Sequence, residues 1–148
     1  MKVNLNNCTL RHPDVWLSLL FVWLLAIIAQ WDRAGMHRII TWDVFGYYLY
    51  LPSIFIYGDL DSFLSVEFLR TQYDFSHSIY QINEERMPIY TIGMAMLYAP
   101  FFLVAHFVAL VTGFSADGLS APYQWSLVIG SLVWVSIGFV ALRKWLSV

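Results

Sequence analysis

Asp43 heads the stretch richest in groups that could do chemistry, Thr41-Trp-Asp-Val-Phe-Gly-Tyr-Tyr-Leu-Tyr-Leu-Pro-Ser-Ile-Phe-Ile-Tyr-Gly-Asp59. A carboxylate followed by so many aromatics points to chemistry at a bilayer surface, because aromatic side chains draw a backbone into the headgroup region. On a helix over Val44 to Leu51, Tyr47 and Tyr50 fall on the face of Asp43, one and two turns along. Two roles fit Asp43. As a first-turn acid or N-cap it would accept backbone N–H groups and suit the positive end of the helix dipole. As an ionised carboxylate it could accept a proton or bind a metal. Tyr47 and Tyr50 are candidate substrate-binding residues, while the bland reading makes Tyr47, Tyr48, Tyr50 and Tyr57 an interfacial aromatic belt. Arg86, two residues ahead of Pro88, stands where a phosphate would need a cation, although Glu84, Glu85 and Arg86 also read as a solvated run. Asp59 and Asp61 read as turn and cap residues. His106 has no metal-ligand spacing and reads as a hydrogen-bonding residue packed between helices.

The elements that must position these groups follow from composition. With 59% hydrophobic, 18% aromatic and 12% charged residues among 148, and a mean hydropathy of +0.62, the chain belongs in a membrane. A formal charge of -2 with scattered Lys and Arg offers no surface for nucleic acid. Cys8 is the single cysteine, so an internal disulfide is excluded. There is no glycine-rich phosphate loop, no G-x-S-x-G, no H-E-x-x-H and no paired CxxC.

The expected fold is an all-α integral membrane protein with about three apolar helices and a long extracytoplasmic loop containing short interfacial helices. Residues 1–14 form a cytoplasmic N-terminus. Residues 15–31 carry no charge and reach roughly the 17-residue lower limit of a spanning helix. Lys2 and Arg11 precede this segment without an A-x-A cleavage pattern, so it reads as an uncleaved anchor with a cytoplasmic start. Residues 32–91 form the outer loop, with helical pieces Val44 to Leu51 and Ser53 to Tyr57 divided by Pro52. A third piece covers Asp61 to Tyr73, with Leu64 and Phe68 on one side. Residues 92–111, with Pro100 inside, form a transmembrane or re-entrant helix, 112–124 a connecting loop, and 125–142 the last span. Residues 143–148 form the C-terminal end. Three crossings put Arg143 and Lys144 outside, against the positive-inside rule; a re-entrant 92–111 segment would remove that conflict.

The order Asp43-x-x-Gly-Tyr-Tyr-x-Tyr-Leu-Pro52, then Arg86-Met-Pro-Ile with Gly93 and Pro100-Phe-Phe, then Ala116-Asp-Gly-Leu-Ser-Ala-Pro-Tyr-Gln124 resembles the N-terminal part of polytopic GT-C-type glycosyltransferases, bacterial relatives of the dolichyl-phosphate-mannose protein mannosyltransferases. The resemblance covers roughly positions 10 to 145. It implies a multi-pass protein of a bacterial inner membrane that takes sugar from a lipid-phosphate-linked donor. Asp43 matches the position of the family's essential acid in the first outer loop. It would serve as base toward an acceptor hydroxyl or help hold a divalent cation. Arg86 and Arg38 are the candidates for steadying the departing lipid phosphate. Family members carry more spans than this chain, so it reads as an N-terminal module, with a fragment, a truncated product, or a subunit of a protein carrying the remaining spans all open. The alternative is a small noncatalytic multi-pass scaffold. A transporter fragment using His106 is a third reading.

Overall fold

The computed structural model describes residues 19–24, 26–27, 39–67, 78–82 and 85–146, in two units, Met1–His37 and Arg38–Val148. In the first unit, residues 19–24 and 26–27 are helical, with Leu19, Val22 and Trp23 exposed. The rest of the expected first span lies outside the described residues.

The second unit opens with α1 (Trp42–Tyr48) and α2 (Tyr50–Pro52), which runs directly into a π-helical turn, Ser53–Tyr57. The second expected piece, Ser53 to Tyr57, has the bounds of this π-helical turn, and at Pro52 the helix changes type without a break in its course. Leu49, Pro52 and Ser53 all keep right-handed helical backbone, and the Leu49 N–H donates to the Phe45 carbonyl, 2.9 Å. Proline cannot supply an N–H to the carbonyl four residues back, yet the helical course continues. The Ser53 N–H donates to the Leu49 carbonyl at 3.2 Å, and the Ser53 hydroxyl donates to the same oxygen at 2.7 Å. Gly58, at φ 84, ends the run, as the left-handed position at a helix C-terminus favours glycine.

Asp59 then caps α3 (Leu60–Leu64), accepting from the Ser62 N–H at 2.6 Å and the Ser62 hydroxyl at 2.7 Å. These bonds hold its carboxyl below the ordinary aspartate range. The helix expected over Asp61 to Tyr73 stops at Leu64, with Ser65 as C-cap; Phe68 lies outside the described residues. Phe63 and Leu64 are the residues it buries.

The all-α expectation needs one further correction, because β1 (Ile79–Ile82) and β2 (Glu85–Pro88) form an antiparallel hairpin. Tyr80 pairs with Met87, Gln81 with Arg86, and only two residues separate Ile82 from its partner Glu85, the separation of the commonest hairpin loops. Helix nevertheless dominates the fold.

Among the described residues, two helices are long and apolar enough to cross a membrane. The first, α4 (Gly93–Thr112), continues through Pro100 and ends at Gly113, φ 76. The second, α5 (Ala121–Leu146), starts earlier and ends later than residues 125–142. Asp117 prepares that early start, its Oδ1 accepting from the Leu119 and Ser120 N–H groups at 2.7 and 2.9 Å; Pro122 sits in the first turn, where a missing N–H is tolerated. The pair is antiparallel: Trp134 Nε1 donates to the Leu97 carbonyl, Tyr98 and Ser131 hydroxyls meet at 2.7 Å, and His106 Nδ1 meets the Tyr123 hydroxyl at 2.6 Å. Gly130 admits the Phe101 ring, because a Cβ there would come within 2.9 Å of it.

Phe102 joins the helix pair to the α1–α2 run. Its ring meets Tyr48 edge-on at 5.9 Å, Phe55 at 5.9 Å and Tyr123 at 5.3 Å. Each such aromatic pair is worth about 0.5–1.5 kcal/mol. The run therefore lies against the middle of α4.

Candidate functional site

Asp43 is exposed on the first turn of α1. The N-cap position belongs to Thr41, in extended backbone, whose side chain makes no cap hydrogen bond. Asp43 Oδ1 instead accepts a hydrogen bond from the Tyr90 hydroxyl. Trp42, immediately before it, sits at φ 49, a left-handed conformation that costs a bulky residue roughly 1–2 kcal/mol. Such outliers collect at functional sites. The Ser78 hydroxyl bonds the Trp42 carbonyl at 3.3 Å, tying this bend to the start of the hairpin.

Tyr90 was not singled out in the sequence, and it organises the site. It lies three residues ahead of α4. Its ring rests on Gly46, where any Cβ would overlap the Tyr90 ring carbons. The Tyr47 ring lies beside it, centroids 4.4 Å apart and tilted by 51°, and the Tyr50 hydroxyl donates to the Tyr90 carbonyl at 2.5 Å. The Asp43 contact, followed by partial desolvation and the Asp43 charge, raises the Tyr90 phenol above the ordinary tyrosine range. Burial raises Tyr50 as well. Both remain hydrogen-bond donors at neutral pH. The signal available beforehand was the spacing Asp43, Gly46, Tyr47, Tyr50: a stripe along one helical face with a glycine in it invites a ring to lie there.

The other candidates are placed differently. Arg86, on β2, forms an ion pair with Asp61, Nε to Oδ1 at 3.8 Å, with the two side chains 33% and 70% exposed. Such a pair is worth at most about 1 kcal/mol. Arg38 lies outside the described residues. Tyr48 is no belt residue: it is buried and donates to the Gly118 carbonyl, while Tyr57 donates to the Asp117 carbonyl at 3.4 Å. Burial, then the Asp117 charge, raises the Tyr57 phenol. His106 is half-buried between α4 and α5, as its place in the apolar block suggested. Among the described residues no three His, Cys, Asp or Glu side chains gather into a metal-binding group.

The fold and this site define a mostly helical chain with two helices of membrane-spanning length and an exposed carboxylate, paired with a phenol, beside the entry to the first of them. No protein-family model, no curated protein and no solved structure matches the chain.

Proposed function

We propose that this chain carries the acid-bearing part of a GT-C-type membrane glycosyltransferase, which moves a sugar from a lipid-phosphate-linked donor to an acceptor hydroxyl at the extracytoplasmic face of a multi-pass protein of the cell membrane. The observation that carries the reading is the setting of Asp43: exposed, engaged by the Tyr90 phenol in place of a cap, and flanked by the exposed apolar side chains Trp42 and Val44. A soluble acid site has no need of such neighbours, whereas a lipid-borne substrate brings an apolar tail with its polar head. The motif order around Asp43, Arg86 and Asp117 supports the same family.

The chemistry needs two roles. As the acceptor oxygen attacks the anomeric carbon, its proton passes to the free oxygen of the Asp43 carboxylate. The bond from that carbon to the phosphate oxygen breaks, and its electron pair leaves on the lipid phosphate. Arg86 suits the second role because a weak exposed pair with Asp61 can be exchanged for the denser charge of a phosphate. Arg38 is the other candidate cation. Three spans, the first within residues 15–31, complete the proposed topology, with 32–91 outside the cytoplasm and its short helices near the interface.

The test is sugar transfer from a lipid-phosphate donor by wild type and Asp43→Asn at equal folded levels, together with any partner protein that carries further spans. Loss of a general base costs on the order of 10²-fold or more, whereas a merely structural Asp43 would tolerate asparagine, whose amide oxygen can still accept the Tyr90 hydrogen bond. Full activity in the variant refutes the assignment. A wild type that transfers nothing favours the scaffold reading, which draws on the exposed apolar faces of α4 and α5, such as Phe107, Leu110, Ile137 and Phe139.

A further inference from the structure

We propose that Tyr90 is the positioning residue of the Asp43 carboxylate, pinning one of its oxygens so that the other faces the substrate, and that Gly46 is the seat this requires. Tyr90 is fixed at four points, and only what the free oxygen meets rests on the glycosyltransferase reading. The phenol donates to Asp43 Oδ1. The ring covers Gly46 so closely that a methyl group there would displace it. The Tyr47 ring closes one side at 4.4 Å, and the Tyr50 hydroxyl holds the backbone carbonyl at 2.5 Å.

An exposed aspartate on a first helical turn ordinarily rotates freely about its terminal torsion. A charge-assisted bond from a phenol held by those contacts removes that freedom for one oxygen and leaves the other open. Asp43, Gly46, Tyr47 and Tyr50 are spaced i, i+3, i+4 and i+7, so one helical stripe supplies the carboxylate, the floor, the wall and the backbone clamp. The raised phenol stays a donor across the neutral range. Since its folded value lies above the unfolded one, the contact contributes fully below the ordinary tyrosine range and is lost as pH rises through the raised value.

The experiment uses the full chain in lipid nanodiscs, labelled with 3-fluorotyrosine, with the Tyr90 fluorine resonance assigned by its loss in Tyr90→Phe. The titration midpoint of that resonance should move to lower pH in Asp43→Asn, which removes the charge. It should move the same way in Gly46→Ala, which leaves both groups intact and displaces the ring. In sugar transfer, Tyr90→Phe keeps the ring and its packing, and should lower kcat by about 10-fold to 10²-fold, as misplaced groups do, with KM little changed. Identical midpoints in wild type, Asp43→Asn and Gly46→Ala would overturn the pairing. An unchanged kcat in Tyr90→Phe of an active chain would overturn the positioning role. A chain that transfers no sugar even with a protein carrying further spans present, while its Tyr90 midpoint follows Asp43, upholds the pairing and sinks the glycosyltransferase reading alone.

Discussion

Gly118→Ala should release the loop after α4 from the α1–α2 run, and its cost can be separated into two parts. Gly118 sits at φ 83, where a side chain costs roughly 1–2 kcal/mol. In addition, a Cβ at Gly118 would come within 2.7 Å of Pro52 Cβ and 3.3 Å of Ile56 Cδ1. Pro52 cannot yield as a flexible side-chain tip would, because its Cβ belongs to a ring closed on a helical backbone. Overpacking of this kind costs typically about 1–3 kcal/mol, which brings the total to about 2–5 kcal/mol. Gly113 supplies the control: it sits at φ 76 with nothing within 4 Å of an added Cβ, so Gly113→Ala should lose only the conformational part, about 1–2 kcal/mol. Both can be measured by equilibrium unfolding in mixed micelles at increasing SDS fraction, followed by far-UV circular dichroism. Equal losses in the two variants would refute the seating of Pro52 on the loop, and with it the account of how the Asp43-bearing run is held.

Phe102→Ala removes the ring shared by Tyr48, Phe55 and Tyr123, and should cost about 3–5 kcal/mol in the same assay; a loss under about 1 kcal/mol would deny it a central place in the core. Tyr123→Phe leaves His106 Nδ1 without the hydroxyl it meets and should cost about 1–3 kcal/mol, whereas a neutral result would mean that water replaces the contact. The Asp59 cap should respond to acid. Because its folded pKa lies below the unfolded one, its contribution is complete above the unfolded value and disappears as pH falls through the folded value. Asp59→Asn should flatten that part of the stability–pH curve, and an unchanged curve would place the acid sensitivity elsewhere.

Composition and hydropathy were enough to identify the two helices of membrane-spanning length, because a run of twenty apolar residues has few other stable forms. A local signal was equally legible at Asp59, where a cap depends on neighbours within a few residues. Pro52 shows where local rules stop. Proline alone argues for a break, yet the Ser53 bonds carry the helix past it and the seat at Gly118, sixty-six positions away in the chain, accepts its ring. The hairpin was missed for a related reason. Strands of four residues carry too little periodic signal, and their pairing appears only when both are in hand.

The candidate site divides along the same line. Asp43, Tyr47 and Tyr50 could be placed on one face from spacing alone, since helical geometry is set within a few turns. Tyr90, Arg86 and Tyr48 could not. Asp43 meets a phenol forty-seven positions on, Arg86 turns to Asp61, and Tyr48 reaches the Gly118 carbonyl seventy positions on. Sequence by itself determined the apolar helices, the turns and the stripe of groups on α1. Tertiary structure decided which distant ring lies on that stripe, because a hydrogen bond across forty or more residues depends on how packed elements meet.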